Sequence, residues 1–301
     1  MHLWAWADAS HRVDAPYYPK LVSSVPFTPA TGRRVLRRPD VTLEDLAPQL
    51  REGLLSAASE THASSIHLLF LAEEEADALG QDPRFMRRLS LQFHWCAEGD
   101  ASFDDYLGRL RSPARKAIRR ERRLARALPF DLELMRGDEL VDQDYADLFE
   151  LYRAGCVQKG SYPYLTQAFF ELMPERMARR VVVARARRDR HTVAASLAFE
   201  KGAHLYGRYW GSHVEAPMLH FELCYYRLIE HAIESGVTRF EAGAQGDHKL
   251  KRGLMPAAIH SLHLIRHPAL EHAVADFLPR EAAGIRARMD DLRGSGPFKR
   301  C

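Results

Sequence analysis

The stretch RVVVARARRDRHTVAASLAFEKGAHLYGRYW, residues 180–210, holds three strand-like runs: Arg180 to Ala186, Thr192 to Glu200 and His204 to Trp210. β-Branched and aromatic residues concentrate in these runs, and short polar turns join them, so the stretch reads as a three-stranded antiparallel meander. Upstream, Phe130 to Met135 reads as a strand, Glu139 to Ala154 as a helix carrying Leu140, Phe149, Leu151 and Tyr152, and Thr166 to Met177 as a second helix. Downstream lies a helix over Leu219 to Glu234, with the core stripe Phe221, Tyr225, Leu228, Ile229, Ala232 and Ile233, stopped by Ser235-Gly236. Arg239 to Ala242 and Ser261 to Arg266 come next as strands, separated by a short helix, and Leu270 to Met289 closes the chain as a helix.

The earlier residues are organised differently. Met1 to Arg38 carries aromatic and proline punctuation, Tyr17-Tyr18-Pro19-Lys20 and Pro26-Phe27-Thr28-Pro29, which predicts a packed loop leading into a short strand. Thr42 to Thr61 starts with a Thr-x-x-Asp cap and repeats Leu43, Leu46, Leu50, Leu54, Leu55 and Ala58 at helical spacing. Ser65 to Leu71 then reads as a strand, Ala72 to Leu79 as a helix and Ser90 to Cys96 as a strand. From Ser102 to Leu128 the period is that of one long helix, through Phe103, Leu107, Leu110, Ala114, Ile118 and Ala125. Its opposite face is basic: residues 109–126 hold nine Arg or Lys against the single acid Glu121. That face is either a solvated one whose stems cover apolar neighbours or a phosphate or RNA contact.

Strand, two helices, a three-stranded meander, helix, strand, short helix, strand is the element order of a GNAT-type domain, an α/β fold (α+β) with a mixed sheet flanked by helices. Residues 1–100 echo the latter part of that order, as an incomplete first GNAT-like half. The predicted division is therefore 1–100, a basic connecting helix over 101–128, and a complete GNAT-like domain over 129–301. The chain has 301 residues, 46% hydrophobic and 28% charged, enough apolar material for two modest cores. No apolar run reaches the roughly 18 residues of a membrane-spanning helix, and Met1 to Asp8 lacks a signal-peptide layout, so a cytoplasmic location without membrane insertion is expected. Cys96, Cys156, Cys224 and Cys301 are widely spaced, which indicates neither a zinc site nor a disulfide framework.

Chemistry concentrates in Phe240-Glu-Ala-Gly-Ala-Gln-Gly-Asp-His-Lys-Leu-Lys-Arg-Gly253. A strand ends here in glycines that permit close approach of a ligand, and the ionisable groups Glu241, Asp247, His248, Lys249, Lys251 and Arg252, with Gln245, cluster around them. The alternative is an exposed charged turn. In the run ending at Trp210, Tyr206, Arg208 and Trp210 share one strand face, and Arg208 between aromatics is either a ligand clamp or part of plain sheet packing. Pro217 opens the next helix, whose free N–H groups suit an anion, and His220 and Glu222 near its start are candidates for substrate hydrogen bonds. His220, Cys224, Arg227 and His231 fall on one face without a recognised metal-ligand spacing, and Cys224 has no identifiable base to make it a nucleophile. The loop Lys159-Gly-Ser-Tyr-Pro-Tyr164-Leu-Thr166 lines a pocket through Tyr164 or simply packs between helices.

Phe103-x-x-Tyr106-Leu107, the Arg119 to Arg123 run, Lys159-Gly160 with Tyr164-Leu165-Thr166, Leu205 to Gly211, Leu219 to Glu222 with Cys224-Tyr225-Tyr226, and Glu241 to Gly253 together resemble the FemAB-like family of peptidoglycan biosynthesis or recognition. Trp4 to Ala9 and Tyr17 to Pro29 match as well. The resemblance implies two GNAT-like halves and amide-forming acyl or aminoacyl transfer to a small-molecule or peptide amine related to cell-wall precursors. Aminoacyl-tRNA or acyl-CoA is the implied acyl donor, with tRNA held by the basic helix of residues 109–126. Family members begin with a further stretch before the Trp4 segment, so the chain is expected to start late. In Fem-type transferases a lysine just before a Gly-aromatic pair stabilises the reaction; Lys249 is the first candidate, and Lys251 lies near that spacing too. Glu241, Asp247 or His248 would relay the proton. A CoA-dependent N-acetyltransferase needs a glycine-rich loop after the meander, where Gly211-Ser-His-Val-Glu-Ala-Pro217 offers one glycine and an acid. A non-catalytic peptide- or muropeptide-binding protein on the same fold is the third reading.

Overall fold

The structure, a computed structural model, describes residues 4–244 and 246–299. In chain order the elements are α1 (Trp4–Arg12), β1 (Leu21–Ser23), α2 (Leu43–Glu60), β2 (Ser65–Leu71), α3 (Glu73–Leu79), β3 (Met86–Cys96), α4 (Phe103–Arg109), α5 (Ser112–Arg126), β4 (Asp131–Arg136), α6 (Asp142–Gln158) and α7 (Gln167–Met177). Then come β5 (Val181–Arg188), β6 (His191–Lys201), β7 (His204–Ser212), α8 (Leu219–Phe221), a π-helical turn (Glu222–Tyr226), α9 (Arg227–Glu234), β8 (Arg239–Glu241), a 3-10 turn (Asp247–Arg252), β9 (Met255–Ile265) and α10 (Pro268–Ser295). The chain forms two compact units, Met1–Gln92 with Pro256–Gly294, and Phe93–Met255 with Ser295–Cys301. Each is α/β with a mixed sheet. The boundaries differ from the contiguous segments 1–100, 101–128 and 129–301, because β9 pairs with β2 and takes α10 with it into the first unit.

In the first unit β1 lies parallel to β2, and β2 antiparallel to β9. Ile66, Leu68, Leu262 and Leu264 pack against Leu43, Ala47, Ala58, Ala76 and Leu79 of α2 and α3. Thr42 caps α2 by accepting a 3.1 Å bond from the Asp45 N–H, as its Thr-x-x-Asp start predicts. A second apolar cluster joins Trp6 and Tyr17 to Ile265, Leu270, Val274 and Leu278. It accounts for α1, where the sequence predicts a loop: nine residues are too few for a stable isolated helix, and burial of Trp6 against α10 supplies what propensity lacks. Between Trp6 and the sheet, His67 and His263 share a 2.7 Å Nδ1–Nδ1 hydrogen bond, and their Nε2 atoms bond Ser65 and Ser261.

The second unit carries the order β3-β8-β7-β6-β5-β4, all antiparallel except β7 with β8. Val181, Val183, Ala195 and Leu197 pack on α6 and α7 through Tyr145, Leu148, Leu151, Tyr152, Phe170 and Met173. The helix expected from Ser102 to Leu128 is broken. Leu110 is extended, and Pro113 has no N–H to offer the Arg109 carbonyl, which bonds the Lys299 N–H at 3.0 Å instead. The strand β7 is irregular in two ways. It pairs with β8 only from His204 to Tyr206, and Leu197 pairs with Tyr209 while Ala198 pairs with Gly207, so Arg208 is the extra residue of a β-bulge.

Candidate functional site

Beyond Tyr206 and Glu241 the parallel strands β7 and β8 no longer pair, and the glycine-rich chain after β8 turns at this parting. Gly243, Gly246 and Gly253 all take positive φ, at 80°, 94° and 77°. Two of them are also needed for space: a Cβ on Gly246 would overlap the His248 ring, and one on Gly253 would overlap the Tyr106 hydroxyl. The 3-10 turn between them holds Lys249 inside and Lys251 in solvent. Lys249 Nζ donates to the carbonyls of Ala242 (2.6 Å) and Gly243 (3.3 Å), and burial draws its ammonium down to about 8. Of the two lysines open in the sequence, only Lys249 is thus preorganised.

His248 shares a 3.1 Å hydrogen bond between its Nε2 and the Tyr225 hydroxyl. Burial, then the charges of Arg252 and Lys249, lower its pKa, against the opposing pull of Asp247, so the imidazole is neutral at pH 7. His220 stands beside it, its ring 6.3 Å from His248, 5.5 Å from Tyr225 and 5.2 Å from Trp210, and burial lowers it to about 4. Two neutral imidazoles, a phenol and a buried ammonium therefore meet beside one short turn of chain. Such a set can accept a proton at His248 and present positive charge at Lys249. The π-helical turn after α8 brings Tyr225 to His248, and π-turns of this kind recur at functional sites.

The family profile FemAB_like, described by peptidoglycan biosynthesis/recognition, matches residues 2–300. The chain belongs to the FemAB-like family. No protein of curated function matches this FemAB-like chain. Its fold is shared with solved structures at low identity. The C-terminal domain (DUF2156) of a protein of Agrobacterium fabrum has a TM-score of 0.53 at 11% identity, over 78% of each chain. L-PGS from Bacillus licheniformis has 0.52 at 12%, over 78% of this chain and 79% of that one. FemX has 0.52 at 12%, over 84% and 85%.

Other residues singled out in this FemAB-like sequence are distributed differently from the expectation. Glu222, a candidate for substrate hydrogen bonds, is fully buried and ion-paired with Arg122 (3.1 Å), Arg126 and Arg227 (both 3.7 Å). Glu241, a candidate proton relay, is buried with Arg239 at 3.3 Å and His94 at 3.9 Å. Asp247 is exposed, and Gln245 lies outside the described residues. Arg252 is buried against Glu121 and Phe221 rather than turned to a ligand. The bulge also divides the expected common face of Tyr206, Arg208 and Trp210: Tyr206 bonds His204, Trp210 packs on His220, and Arg208 donates to the hydroxyls of Tyr164 (3.2 Å) and Tyr209 (3.0 Å). Tyr164 and Arg208 are thereby brought together, but as part of a phenol cluster.

Two cavities stand out in the second unit, one between α6 and α7 lined by Tyr145, Phe149 and Phe170, the other beside Arg153, Val157 and His213; neither touches Lys249 or Arg208. Burial pushes the Cys224 thiol up to about 12, which leaves it protonated and removes it as a nucleophile. On α5, Arg122 is buried against Glu222 and Glu230, Arg119 pairs with Asp104, and Lys116, Arg120 and Arg123 face solvent. Among the described residues no helix is long and apolar enough to cross a membrane. Sequence reasoning missed Tyr225 as a partner of His248, taking it for core, and gave Tyr106 and Glu121 no part in the site.

Proposed function

We propose that this protein forms an amide bond by transferring an aminoacyl group to an amine of a peptidoglycan-related precursor, with His248 and Lys249 at the reacting centre. The observation that carries this reading is the pairing of a neutral, Tyr225-bound imidazole with a buried ammonium on consecutive residues of a glycine-framed turn. Membership of a family described by peptidoglycan biosynthesis/recognition supports the substrate class, and FemX shares the fold. The amine nitrogen attacks the carbonyl carbon of the aminoacyl ester and a tetrahedral oxyanion forms. Lys249 stabilises that charge while His248 takes the amine proton. Collapse re-forms the carbonyl and breaks the ester C–O bond, and His248 returns the proton to the departing oxygen. Tyr225 holds the ring in orientation throughout.

Aminoacyl-tRNA is the proposed donor, with Lys116, Arg120 and Arg123 on the outer face of α5 as its phosphate contacts. Acyl-CoA is the second donor; the segment Gly211 to Pro217, with a single glycine and Glu215, offers its pyrophosphate a poor cradle. The test is transfer of radiolabelled amino acid from a mixture of aminoacyl-tRNAs to a lysine-bearing peptidoglycan-precursor peptide, run beside acetyl-CoA. Label in the peptide, lost in Lys249→Met, supports the reading. Thermal stabilisation and turnover with acetyl-CoA alone would replace the donor, and binding of the peptide without turnover would make the protein a recognition module.

A further inference from the structure

Arg252 closes the 3-10 turn that carries His248 and Lys249, and each of its three side-chain nitrogens donates to a group of the protein. Nε and Nη2 bond the two oxygens of Glu121 at 3.1 and 2.9 Å, Nη1 bonds the His248 carbonyl at 2.7 Å, and the guanidinium lies 3.5 Å above the Phe221 ring. Its own carbonyl accepts the Tyr106 hydroxyl at 2.5 Å. Glu121 is equally committed, since it also accepts the hydroxyl of Tyr226 from the π-helical turn. One carboxylate on α5 therefore ties together the turn that carries His248 and Lys249 and the helical turn that carries Tyr225.

We propose that Arg252 is a positioning residue for this site: held by Glu121, it fixes the backbone of His248 and so the register of His248 with Tyr225 and of Lys249 with the Ala242 carbonyl. The inference rests on the proposed roles of His248 and Lys249 in transfer. The planar fork is what the task requires. A lysine ammonium is a point charge that cannot bond Glu121 twice, reach the His248 carbonyl and stack on Phe221 together. The groups facing His248 are Asp247, Lys249 and Arg252 on its own turn, and Tyr225, Phe221 and His220 on the helical segment opposite. Any loosening of the turn changes the distances among all of them.

The experiment compares wild type with Arg252→Lys and Glu121→Gln, the second keeping the arginine in case the first does not fold. Circular dichroism and thermal unfolding establish the fold; kcat and KM come from the aminoacyl-tRNA assay; ¹H–¹³C NMR follows the titration of the His248 imidazole. In both variants kcat falls on the order of 10- to 100-fold with KM within about threefold, the loss expected for reacting groups displaced by about 1 Å. The His248 midpoint, below the ordinary value of about 6.5 in the wild type, moves toward it in Arg252→Lys, where the charge stays and the burial of the ring is loosened. Folded variants with wild-type kcat and an unmoved His248 midpoint would overturn the inference. The NMR arm needs no turnover, so it decides the positioning role even where His248→Ala keeps transfer activity and the functional reading itself fails.

Discussion

In the proposed reaction Lys249 and His248 divide the work by their ionisation, and the division predicts a pH profile. His248 must be neutral, which holds above its lowered pKa; Lys249 must be protonated, which fails as pH rises through about 8. Activity is therefore expected to form a bell, with its acid limb below about pH 6.5 and its alkaline limb near about pH 8. Lys249→Arg shifts the alkaline limb upward, because a guanidinium does not deprotonate in that range. An alkaline limb unchanged in Lys249→Arg would remove Lys249 from the ionisation that sets it. Among single residues the contiguous part of the candidate site was legible: glycines punctuating a strand end, with His248 and Lys249 after them, mark a turn where ionisable groups gather. The choice between Lys249 and Lys251 was not, because burial within a 3-10 turn depends on the Ala242 and Gly243 carbonyls it folds onto. Tyr225 read as core, Glu121 as a lone acid and Tyr106 only as part of the family motif, because their partners lie 23, 131 and 146 residues away.

Elements built on local period were legible, and those set by a distant partner were not. The meander β5, β6 and β7 falls where its alternation and turns put it, whereas the extended Leu110 between α4 and α5 arises from strand-like contacts with residues 297–299. The bulge at Arg208 left no mark in the residue pattern, and it redirects three side chains that simple alternation assigns to one face. Two elements carry predictions. The π-helical turn begins at Glu222, whose carboxylate pairs with Arg122, a group that is also buried. Glu222→Gln leaves Arg122 with Glu230 as its remaining counter-charge and should cost about 1–3 kcal/mol, measured by urea unfolding; a loss under about 0.5 kcal/mol would show the pair to be dispensable. On α5, Lys116→Glu with Arg120→Glu and Arg123→Glu should weaken tRNA binding and flatten its dependence on salt, since each phosphate contact contributes nearly one unit to the slope. An unchanged slope would free α5 of that role.

In the molecule as a whole, pH acts on stability through buried histidines of both units, His94 and His220 in the second and the His67–His263 pair in the first. Burial lowers His67 to about 3 and His263 well below its ordinary value, so both are neutral in the folded state. A folded-state pKa depressed below the unfolded value of 6.5 means that the stabilisation is fully present above pH 6.5 and is lost as pH falls toward about 3. Thermal unfolding scanned from about pH 7.5 to about pH 4.5 should show a falling transition, with a flatter slope when both histidines are replaced by glutamine. An equal slope in that double variant would assign the acid sensitivity elsewhere. The fold class and the second sheet were legible from element order, but the assignment of β9 and α10 to the first unit was not. It comes from the pairing of β9 with β2, a contact between strands far apart in the chain that no local pattern encodes.

Whether the turn between Gly246 and Gly253 performs aminoacyl transfer is decided by single-turnover transfer from aminoacyl-tRNA to a lysine-bearing peptidoglycan-precursor peptide, in wild type and in Lys249→Met. If Lys249 stabilises the oxyanion, the rate falls roughly 100- to 1,000-fold in the variant, as for removal of an oxyanion-hole donor, with peptide affinity kept. Equal rates in the two proteins would remove the turn from the chemistry.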